Sequence, residues 1–403
     1  MSEQGKGPGR EVPEVVVPPV PGDREVLAAI AAEAGLKRVH FVAWRDLDDP
    51  EAGGSELHAH RIATEWAAAG IDVSFRTSAV PGRPEYHERD GYAVVRRSGR
   101  YRVFGSAALE GLRGGHRPGE GLVEIWNGMP FFSPLWYRGP RIVFLHHVHA
   151  EMWRMVLPDW LAKVGETIES KVAPPFYRSS RVVTLSGSSR EEIIELLRLR
   201  PERVSVASPG IEPRFSPGGE RSPTPTVVAV GRLVPVKRFD LLIEALAEVK
   251  SQQPELRATI VGEGYERPAL EALRHRLGAD EWIELPGRLS DDELIDHYRR
   301  AWVVASTSLR EGWGMTLTEA GACGTPAVAT DIAGHRDAVV DGTTGLLVGR
   351  TDGVAAALGR VLGDPDLRRR LGAGAQARAR WFTWSGTARS TLEALAGEAV
   401  RRR

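Results

Sequence analysis

The sequence predicts an α/β protein of two doubly wound domains that face each other across a cleft, and three observations support this fold class. At 403 residues the chain exceeds one ordinary hydrophobic core, so two domains are expected. Apolar runs of strand length alternate with helical runs in both halves, which is typical of parallel sheets. The segment PRFSPGGERSPTPT at 213–226 is dense in Pro, Gly and Ser, and predicts a linker between the halves.

The first half begins with residues 1–37, a mobile tail rich in Pro, Gly and charge followed by a leading helix. RVHFVAW then predicts a strand, and the next 30 or so residues read as a loop, a helix that stops at Gly70 and a second strand. Further strands are expected at YAVVRR, LVEIWN, RIVFLHH and RVVTLS, with a helix at SREEIIELLRL. We place this first domain at 38–213.

The second half repeats the alternation. Its expected strands are VVAVG, RATIVG, IELPG, WVVAS and PAVAT, and its helices include DLLIEALAEVK, RPALEALRHRLG, DDELIDHYRRA and MTLTEAGACG. We place this second domain at 214–385. Residues 386–403 form a helical tail for which a return to the first domain is one option. Parallel sheets bind ligands at the carboxyl ends of their strands, so the cleft between the domains is the expected site.

Composition excludes several classes of protein. Lys+Arg and Asp+Glu both total 53, so there is no general positive field for nucleic acid. The single cysteine, Cys323, excludes a disulfide framework and fits a reducing cytoplasm. No apolar run approaches the ~20 residues that span a bilayer. We therefore expect a cytoplasmic protein whose membrane contact, if it makes one, is peripheral at the inner surface.

Two glutamates mark the strongest candidate site. The stretch REGWGMTLTEAGACGTPAVATD at 310–331 holds Glu311 and Glu319 around a Gly-Trp-Gly. The glycines favour a bend, which puts Glu311 on a loop and Glu319 in the first turns of a helix capped by Thr316 or Thr318. Carboxylates accept hydrogen bonds from vicinal diols, so one glutamate suits a ribose and the other a hexose.

A second motif supplies positive charge. VVAVGRLVPVKRFDLLIEAL runs from an apolar strand into Gly231, Arg232 and Lys237 before a helix. A cationic turn at a helix N-terminus suits phosphate, although a lone Arg-Lys pair is more often a solvated turn. With the two glutamates in the same domain, the pattern predicts a nucleotide-sugar site. The nucleoside-diphosphate sugar is then a donor substrate, and no cofactor is expected.

Together these motifs resemble the retaining family 4 glycosyltransferases over about residues 38–385. The resemblance rests on EGWGMTLTE, on VGRLVPVKRFDLLIEAL, on VGEG at 261–264 and on GTPAVATDIAGHRDAVVDGTTGLLV. It implies the glycosyltransferase-B fold, in which two Rossmann-like domains face across a cleft. Two positions depart from the family pattern: Asp337 replaces a glutamate, and Ser208-Pro209-Gly210 replaces an Asn-Gly turn.

The resemblance also implies residue roles in the donor site. Arg232 and Lys237 would hold the diphosphate beside Gly231, Glu311 would contact the transferred sugar, and Glu319 would contact the ribose. Backbone amides of the EGWGM segment would approach the sugar or phosphate, and its residues after Glu311 are Gly312, Trp313, Gly314 and Met315.

In the first domain, Gly53 and Gly54 read either as a flexible joint or, as in the family, as a loop toward the acceptor or leaving phosphate. The family has a functional histidine after the strand RIVFL. His146 matches best by position, with His147 as the alternate, and His149 reads as structural. A metal site is not expected, because His147 and His149 share one face of an extended segment while His146 points away.

Two further stretches have competing interpretations. RDLDDP at 45–50 contains an Asp-x-Asp, which we interpret as acidic loop residues rather than a manganese site, with Asp46 as a candidate for orienting acceptor hydroxyls. The aromatic residues at 126–160 read first as core. An acceptor groove or a peripheral membrane-surface patch is the second interpretation.

We therefore predict a retaining, metal-independent hexosyltransferase that uses a nucleoside-diphosphate sugar and a hydroxyl acceptor such as a glycan, a lipid-linked sugar or a small molecule. The predicted catalytic residues are Glu311, His146, Arg232 and Lys237. The alternatives are an epimerase or phosphorylase of the same architecture, or a nucleotide-sugar-binding protein without catalysis. The sequence leaves the sugar, the base, the acceptor and the oligomeric state open.

Overall fold

A computed structural model describes residues 23–150, 152–349 and 353–403. The expectation of a mobile tail therefore falls on residues 1–22, outside the part described. Two parallel-sheet α/β units are present, one with eight strands and one with six, which confirms the predicted fold class.

The elements of the first domain alternate along the chain. In order they are α1 (Asp23–Glu33), β1 (Arg38–Val42), α2 (Gly54–Ala68), β2 (Asp72–Thr77), β3 (Tyr86–Arg89), β4 (Tyr92–Arg96), α3 (Val103–Gly114), β5 (Glu120–Trp126), α4 (Ser133–Trp136), β6 (Arg141–Leu145), α5 (Met152–Val156), α6 (Asp159–Thr167), α7 (Pro174–Tyr177), β7 (Arg181–Thr184), α8 (Gly187–Leu197) and β8 (Val204–Val206). The strand order is β3-β4-β2-β1-β5-β6-β7-β8, and β3 is antiparallel to β4 while the other pairs are parallel.

The sequence identified the inner strands better than the outer ones. β6 is buried at every position, as its continuous apolar run indicates for a sheet covered on both faces. We did not predict β3 or β8. β3 reads YHER and alternates between exposed and half-buried positions at the sheet edge, so it lacks the apolar pattern of an inner strand.

The second domain contains β9 (Thr226–Val230), α9 (Phe239–Lys250), β10 (Arg257–Val261), α10 (Arg267–Arg276), β11 (Ile283–Gly287), α11 (Asp291–Arg300), β12 (Val303–Ser306), α12 (Met315–Ala322), β13 (Ala327–Thr330), α13 (His335–Ala338), β14 (Gly345–Val348), α14 (Val354–Gly363) and α15 (Pro365–Ala379). The strand order is β11-β10-β9-β12-β13-β14, with every described pair parallel. The carboxyl ends of β9 and β12 are therefore neighbours, which brings the loop with Arg232 and Lys237 next to the loop with Glu311.

The last helix, α16 (Trp384–Arg401), lies against α1 and α2 of the first domain. The indole of Trp66 donates a 2.9 Å hydrogen bond to the Ala388 carbonyl, and Arg203 pairs with Glu398 at 2.7 Å. The segment just before the linker touches the start of this helix, because a Cβ atom on Gly210 would overlap the backbone of Trp384. The chain therefore crosses from one domain to the other twice, and the two connecting segments are in contact.

Candidate active site

Loops from both domains meet where the carboxyl ends of the two sheets face each other. A Cβ atom added to Gly312 would overlap the carbonyl oxygen of His146, and one added to Gly54 would lie 3.2 Å from the sulfur of Met315. Gly312 and Met315 belong to the glutamate motif, whereas His146 and Gly54 follow strands of the first domain. The motif is therefore in direct contact with the opposite domain.

The centre of the site is an ion pair between Lys237 and Glu311. Lys237 ends a 3-10 turn after β9, and Glu311 lies on the loop after β12. The Lys237 ammonium donates to Glu311 Oε1, and the Ser308 hydroxyl donates to the same oxygen at 2.8 Å. Only 21% of the lysine side chain and 19% of the glutamate side chain are exposed.

The charge state of Glu311 follows from this pair. Burial by itself would raise the pKa of its carboxyl. The Lys237 ammonium, His335 and the hydrogen bonds from Lys237 and Ser308 together outweigh burial and lower the pKa of Glu311 to about 2. The carboxylate is therefore ionised throughout the physiological range and acts as a hydrogen-bond acceptor.

Arg232 lies against the first domain. Its side chain is exposed, and its Nε would lie 3.7 Å from a Cβ atom on Gly53. Within the described ranges it makes no ion pair. Gly53 caps the N-terminus of α2, and its amide donates to Glu56 at 2.8 Å. A helix N-terminus and an unpaired guanidinium thus meet at one point, which is a favourable place for a phosphate.

The structure places His146, our first candidate for the catalytic histidine, away from the charged groups of the site. Its ring lies in the core, 5.2 Å from the ring of His58 and 5.0 Å from that of Phe144, and only 4% of the residue is exposed. His146 and Phe144 share a face because they are two residues apart in extended chain. The nearest titratable groups are other histidines, so the His146 ring has no charged partner from the donor motifs.

His147 is the histidine that faces the charged groups. Burial lowers the pKa of His147 to about 4. The Glu311 carboxylate opposes that shift, while Lys237 and Arg232 are among the cations that add to it, so all three lie near the ring. Its Nε2 is buried and has no hydrogen-bond partner within the described part of the chain. A neutral imidazole with a free ring nitrogen can bind a hydroxyl group.

His149 stacks on His147, with ring centroids 4.9 Å apart and planes inclined by 18°, as two residues on one face of an extended segment do. Buried Glu169 holds the loop that follows. It accepts hydrogen bonds from the amides of His149 at 2.9 Å and Ala150 at 3.2 Å, and from the Trp153 indole at 3.0 Å. The sequence analysis missed Glu169, because nothing in a half-apolar helical stretch marks which acid turns inward.

Glu319 lies in α12, where its carboxyl is buried and its hydrogen-bond donor is a tyrosine rather than a lysine. The Tyr298 hydroxyl donates to its Oε2 at 3.2 Å. Burial raises the pKa of Glu319 to about 7, although the Tyr298 hydrogen bond and the Arg214 guanidinium oppose the shift. Glu311 and Glu319 thus differ sharply in charge: the first is always ionised, and the second is close to half protonated at neutral pH.

The two glycines of the motif have different structural roles. Gly314 caps α12 with φ of +112°, a conformation that other residues rarely adopt, so neither Thr316 nor Thr318 is the cap. Gly312 is in contact with the opposite domain rather than only with open cleft. The indole of Trp313 is buried edge-on against Phe382 at 5.0 Å, so this residue can reach a ligand only through its backbone.

Both acids of the Asp-x-Asp stretch form ion pairs with arginines. Asp46 is fully buried and pairs with Arg89 at 2.7 Å and with Arg96, and Asp48 pairs with the same two arginines at 2.8 Å and 2.7 Å. Both acids are therefore neutralised within the first domain. The suggestion that Asp46 orients acceptor hydroxyls is wrong, because its oxygens are already occupied.

Asp337, the departure from the family pattern, joins the two domains. Its carboxylate accepts from the amides of Gly187 at 3.1 Å and Ser188 at 3.0 Å, at the N-terminus of α8. The Ser188 hydroxyl also donates to Asp337 and accepts from the Gly334 amide at 2.8 Å. A helix N-terminus of one domain is thus capped by an acid of the other.

Most of the aromatic residues between 126 and 160 are core, as first interpreted. Trp126, Phe131, Trp136 and Tyr137 are buried in two apolar clusters of the first domain. Trp160 is the exception in this group, with 69% of its surface exposed.

The fold and the site together define a two-domain glycosyltransferase of the glycosyltransferase-B type. The model for "Glycosyl transferases group 1" matches residues 211–378, and the model for "Glycosyltransferase Family 4" matches residues 52–215. The chain belongs to glycosyltransferase family 4. It is a retaining, metal-independent enzyme that transfers a sugar from a nucleoside-diphosphate donor to a hydroxyl acceptor.

Curated relatives and solved structures agree with this assignment. The chain is 36% identical to a D-inositol 3-phosphate glycosyltransferase of Frankia alni, over 85% of this chain and 94% of the relative. It is 35% identical to one of Stackebrandtia nassauensis, over 92% and 93%. Sucrose-phosphate synthase from Thermosynechococcus elongatus has a TM-score of 0.73 at 20% identity, covering 88% of this chain and 97% of that one. Anabaena HepE in complex with UDP-glucose has a TM-score of 0.67 at 18% identity, covering 88% and 98%.

No described helix is long and apolar enough to cross a bilayer.

Proposed function

We propose that the enzyme moves a hexose, bound with its diphosphate between Arg232, Lys237 and the N-terminus of α2. The observation that carries this proposal is the position of the Lys237–Glu311 pair beside His147, opposite the Gly53–Gly54 loop. Cations and carboxylate are close enough together to hold the two ends of one activated sugar. The UDP-glucose complex of a protein with the same fold supports a donor of this kind.

Electrostatic stabilisation performs most of the proposed chemistry. As the bond between the anomeric carbon and the diphosphate oxygen breaks, negative charge develops on the leaving diphosphate, and Arg232 and Lys237 stabilise it. The acceptor oxygen bonds to the anomeric carbon on the same face, and its proton passes to the leaving phosphate oxygen. No protein nucleophile is needed for this route, in agreement with a site that holds one ionised carboxylate already bound to a lysine.

Glu311 and His147 position the sugar in this proposal. Glu311 accepts hydrogen bonds from hexose hydroxyls, because it stays ionised and still has accepting capacity beyond Lys237 and Ser308. His147 is neutral above about pH 4 and offers its free Nε2 to a sugar hydroxyl. Glu319 holds the ribose, for which either of its protonation states can form a hydrogen bond.

The acceptor lies against the first domain. The relatives are named for D-inositol 3-phosphate, so a phosphorylated polyol is the first acceptor to test. We place the reaction in the cytoplasm, where a buried thiol such as Cys323 stays reduced.

A donor and acceptor screen tests the proposal. Purified enzyme is incubated with UDP-, GDP- or ADP-glucose and with D-inositol 3-phosphate, and the released nucleotide and the product anomer are measured, the anomer by NMR. We expect acceptor-dependent release and a product with the donor's anomeric configuration, with EDTA present or absent. An inverted product would contradict the assignment of mechanism. An epimerised donor formed without acceptor would favour the epimerase alternative.

A matched pair of variants tests which of the two histidines contributes to activity. His147→Ala is expected to lower kcat/KM by about a hundredfold because it removes a positioning contact beside the reacting sugar. His146→Phe keeps the core filled and is expected to retain most activity. The opposite ranking in folded proteins would return the role to His146.

A further inference from the structure

One side of the first domain exposes large apolar side chains. Trp160 is 69% exposed, and Leu112 and Leu135 are each 61% exposed. We call this surface the apolar face, and it consists of Leu109, Leu112, Leu135, Trp160, Val164, Val172 and Phe176. Single exposed apolar residues are normal on protein surfaces, but a group on adjoining helices indicates a contact surface.

Packing contacts join the helices that carry the face. α3 lies directly on α4, because a Cβ atom on Gly111 would overlap the ring of Trp136. α4 in turn contacts α7 through the rings of Phe132 and Phe176, whose centroids are 5.8 Å apart. α6 continues into α7 through a π-helical turn at Ile168–Val172. The helices that carry the apolar face therefore pack directly on one another.

The π-helical turn keeps the apolar positions of α6 and α7 in line. Trp160, Val164, half-buried Ile168, Val172 and Phe176 recur every four residues. In a regular α-helix each such step turns the position by about 40° beyond a full revolution, which would wind the stripe round the helix. A π turn contains more residues per revolution and reverses that drift locally. π turns are rare and occur often at functional positions.

Positive charge surrounds the apolar face. Exposed cations lie on the same helices or directly beside them and make no ion pair within the described ranges: Arg102, Arg113, Arg117, Lys163, Lys171 and Arg178. Most acidic side chains of these segments are already paired with arginines. Glu110 pairs with Arg76 and Glu166 pairs with Arg154, while Asp159 is exposed. Since the whole chain carries equal numbers of acidic and basic residues, this local excess is a property of the face.

We infer that the apolar face docks on an anionic lipid bilayer, with the apolar side chains entering the headgroup region and the cations binding lipid phosphates. An exposed Trp beside long cationic side chains is suited to the boundary between water and hydrocarbon. Each unpaired cation adds attraction to an anionic surface.

The apolar face is connected to the loops that line the first-domain side of the cleft. The loop before α3 carries Arg100, which pairs with Glu51 close to the Gly53–Gly54 loop. α5 and α6 follow the histidine segment that lines the cleft. Docking would therefore bring the acceptor side of the cleft next to the bilayer, where a lipid-linked acceptor could reach it.

Vesicle flotation tests the inference with the full chain. Wild-type enzyme is mixed with phosphatidylcholine vesicles, with or without phosphatidylglycerol, at low and at high salt. We expect binding that requires the anionic lipid and weakens with salt. Trp160→Ser combined with Val164→Ser, and separately Lys163→Glu combined with Lys171→Glu, are each expected to weaken binding by about tenfold or more.

A matched control uses another exposed tryptophan. Trp381 is 46% exposed and follows α15 of the second domain, so Trp381→Ser is expected to leave binding unchanged. All variants are expected to keep wild-type melting temperatures and wild-type turnover of a soluble acceptor. The inference is overturned by absent binding of the wild type to anionic vesicles, by equal losses in the Trp381 variant, or by a dimer in sedimentation that the Trp160 variant abolishes.

Discussion

Replacing Lys237 by alanine tests the central ion pair, first through stability. The pKa of Glu311 falls from 4.5 to about 2, which corresponds to about 3 kcal/mol at ~1.4 kcal/mol per unit. A lowered acid pKa stabilises the fold above pH 4.5, and that contribution is lost as the pH falls toward 2. At neutral pH, Lys237→Ala removes the cation that offsets the burial of the Glu311 carboxyl, so we expect the free energy of unfolding to fall by about 2–3 kcal/mol in urea titrations.

The same substitution is expected to lower kcat by two or more orders of magnitude, since in the proposed mechanism the lysine also stabilises the leaving diphosphate. Turnover is measured as nucleotide release at saturating donor. Combining Lys237→Ala with Glu311→Gln removes both charges, so the double variant should recover much of the stability but none of the turnover. This difference separates catalysis from folding.

Arg238 provides the matched control, because it is the adjacent cation and pairs with Asp240 at 3.0 Å on the helix surface. Arg238→Ala is expected to turn over at near wild-type rates. Near-normal turnover by folded Lys237→Ala enzyme, or an equal loss in Arg238→Ala, would refute the reasoning.

Substitutions at three other positions probe the contacts around the cleft. Gly312→Ala introduces a Cβ atom that overlaps the His146 carbonyl, so the domains must separate, and kcat is expected to fall by about a hundredfold while the melting temperature changes little. Glu319→Gln removes a carboxyl whose pKa is raised from 4.5 to about 7. Because such an acid makes the fold less stable as pH rises through that range, urea unfolding should show about 3 kcal/mol of pH dependence in the wild type and less in the variant. Asp337→Ala leaves the amides at Ser188 without their acceptor and should raise the donor KM by about tenfold, with Asp337→Asn partly restoring it.

The inner strands, the parallel sheets and the donor motifs could be predicted because their signals are local. A buried parallel strand is a continuous apolar run, and the Arg232–Lys237 turn and the Glu311–Glu319 pair each lie within a single strand-to-helix connection. Parallel pairing of β9 with β12 then makes their loops neighbours. The meeting of Lys237 with Glu311, 74 residues apart, follows from the strand order of a doubly wound sheet.

Side-chain direction and partners across the cleft could not be predicted in this way. Along extended chain, adjacent side chains point to opposite faces, so the sequence left open whether His146 or His147 faces the charged groups. The arginines that neutralise Asp46 lie more than 40 residues away, and Asp337 binds a helix terminus in the other domain.

Sequence by itself therefore determined the family, the two sheets and the charged residues that we propose bind the donor, because periodicity and short motifs act within one segment of chain. Tertiary structure decided which histidine faces the Lys237–Glu311 pair, why Gly312 has no side chain and where Trp160 is exposed. Each of these depends on which surfaces two distant segments present to each other, and that relation is set only when the whole chain has packed.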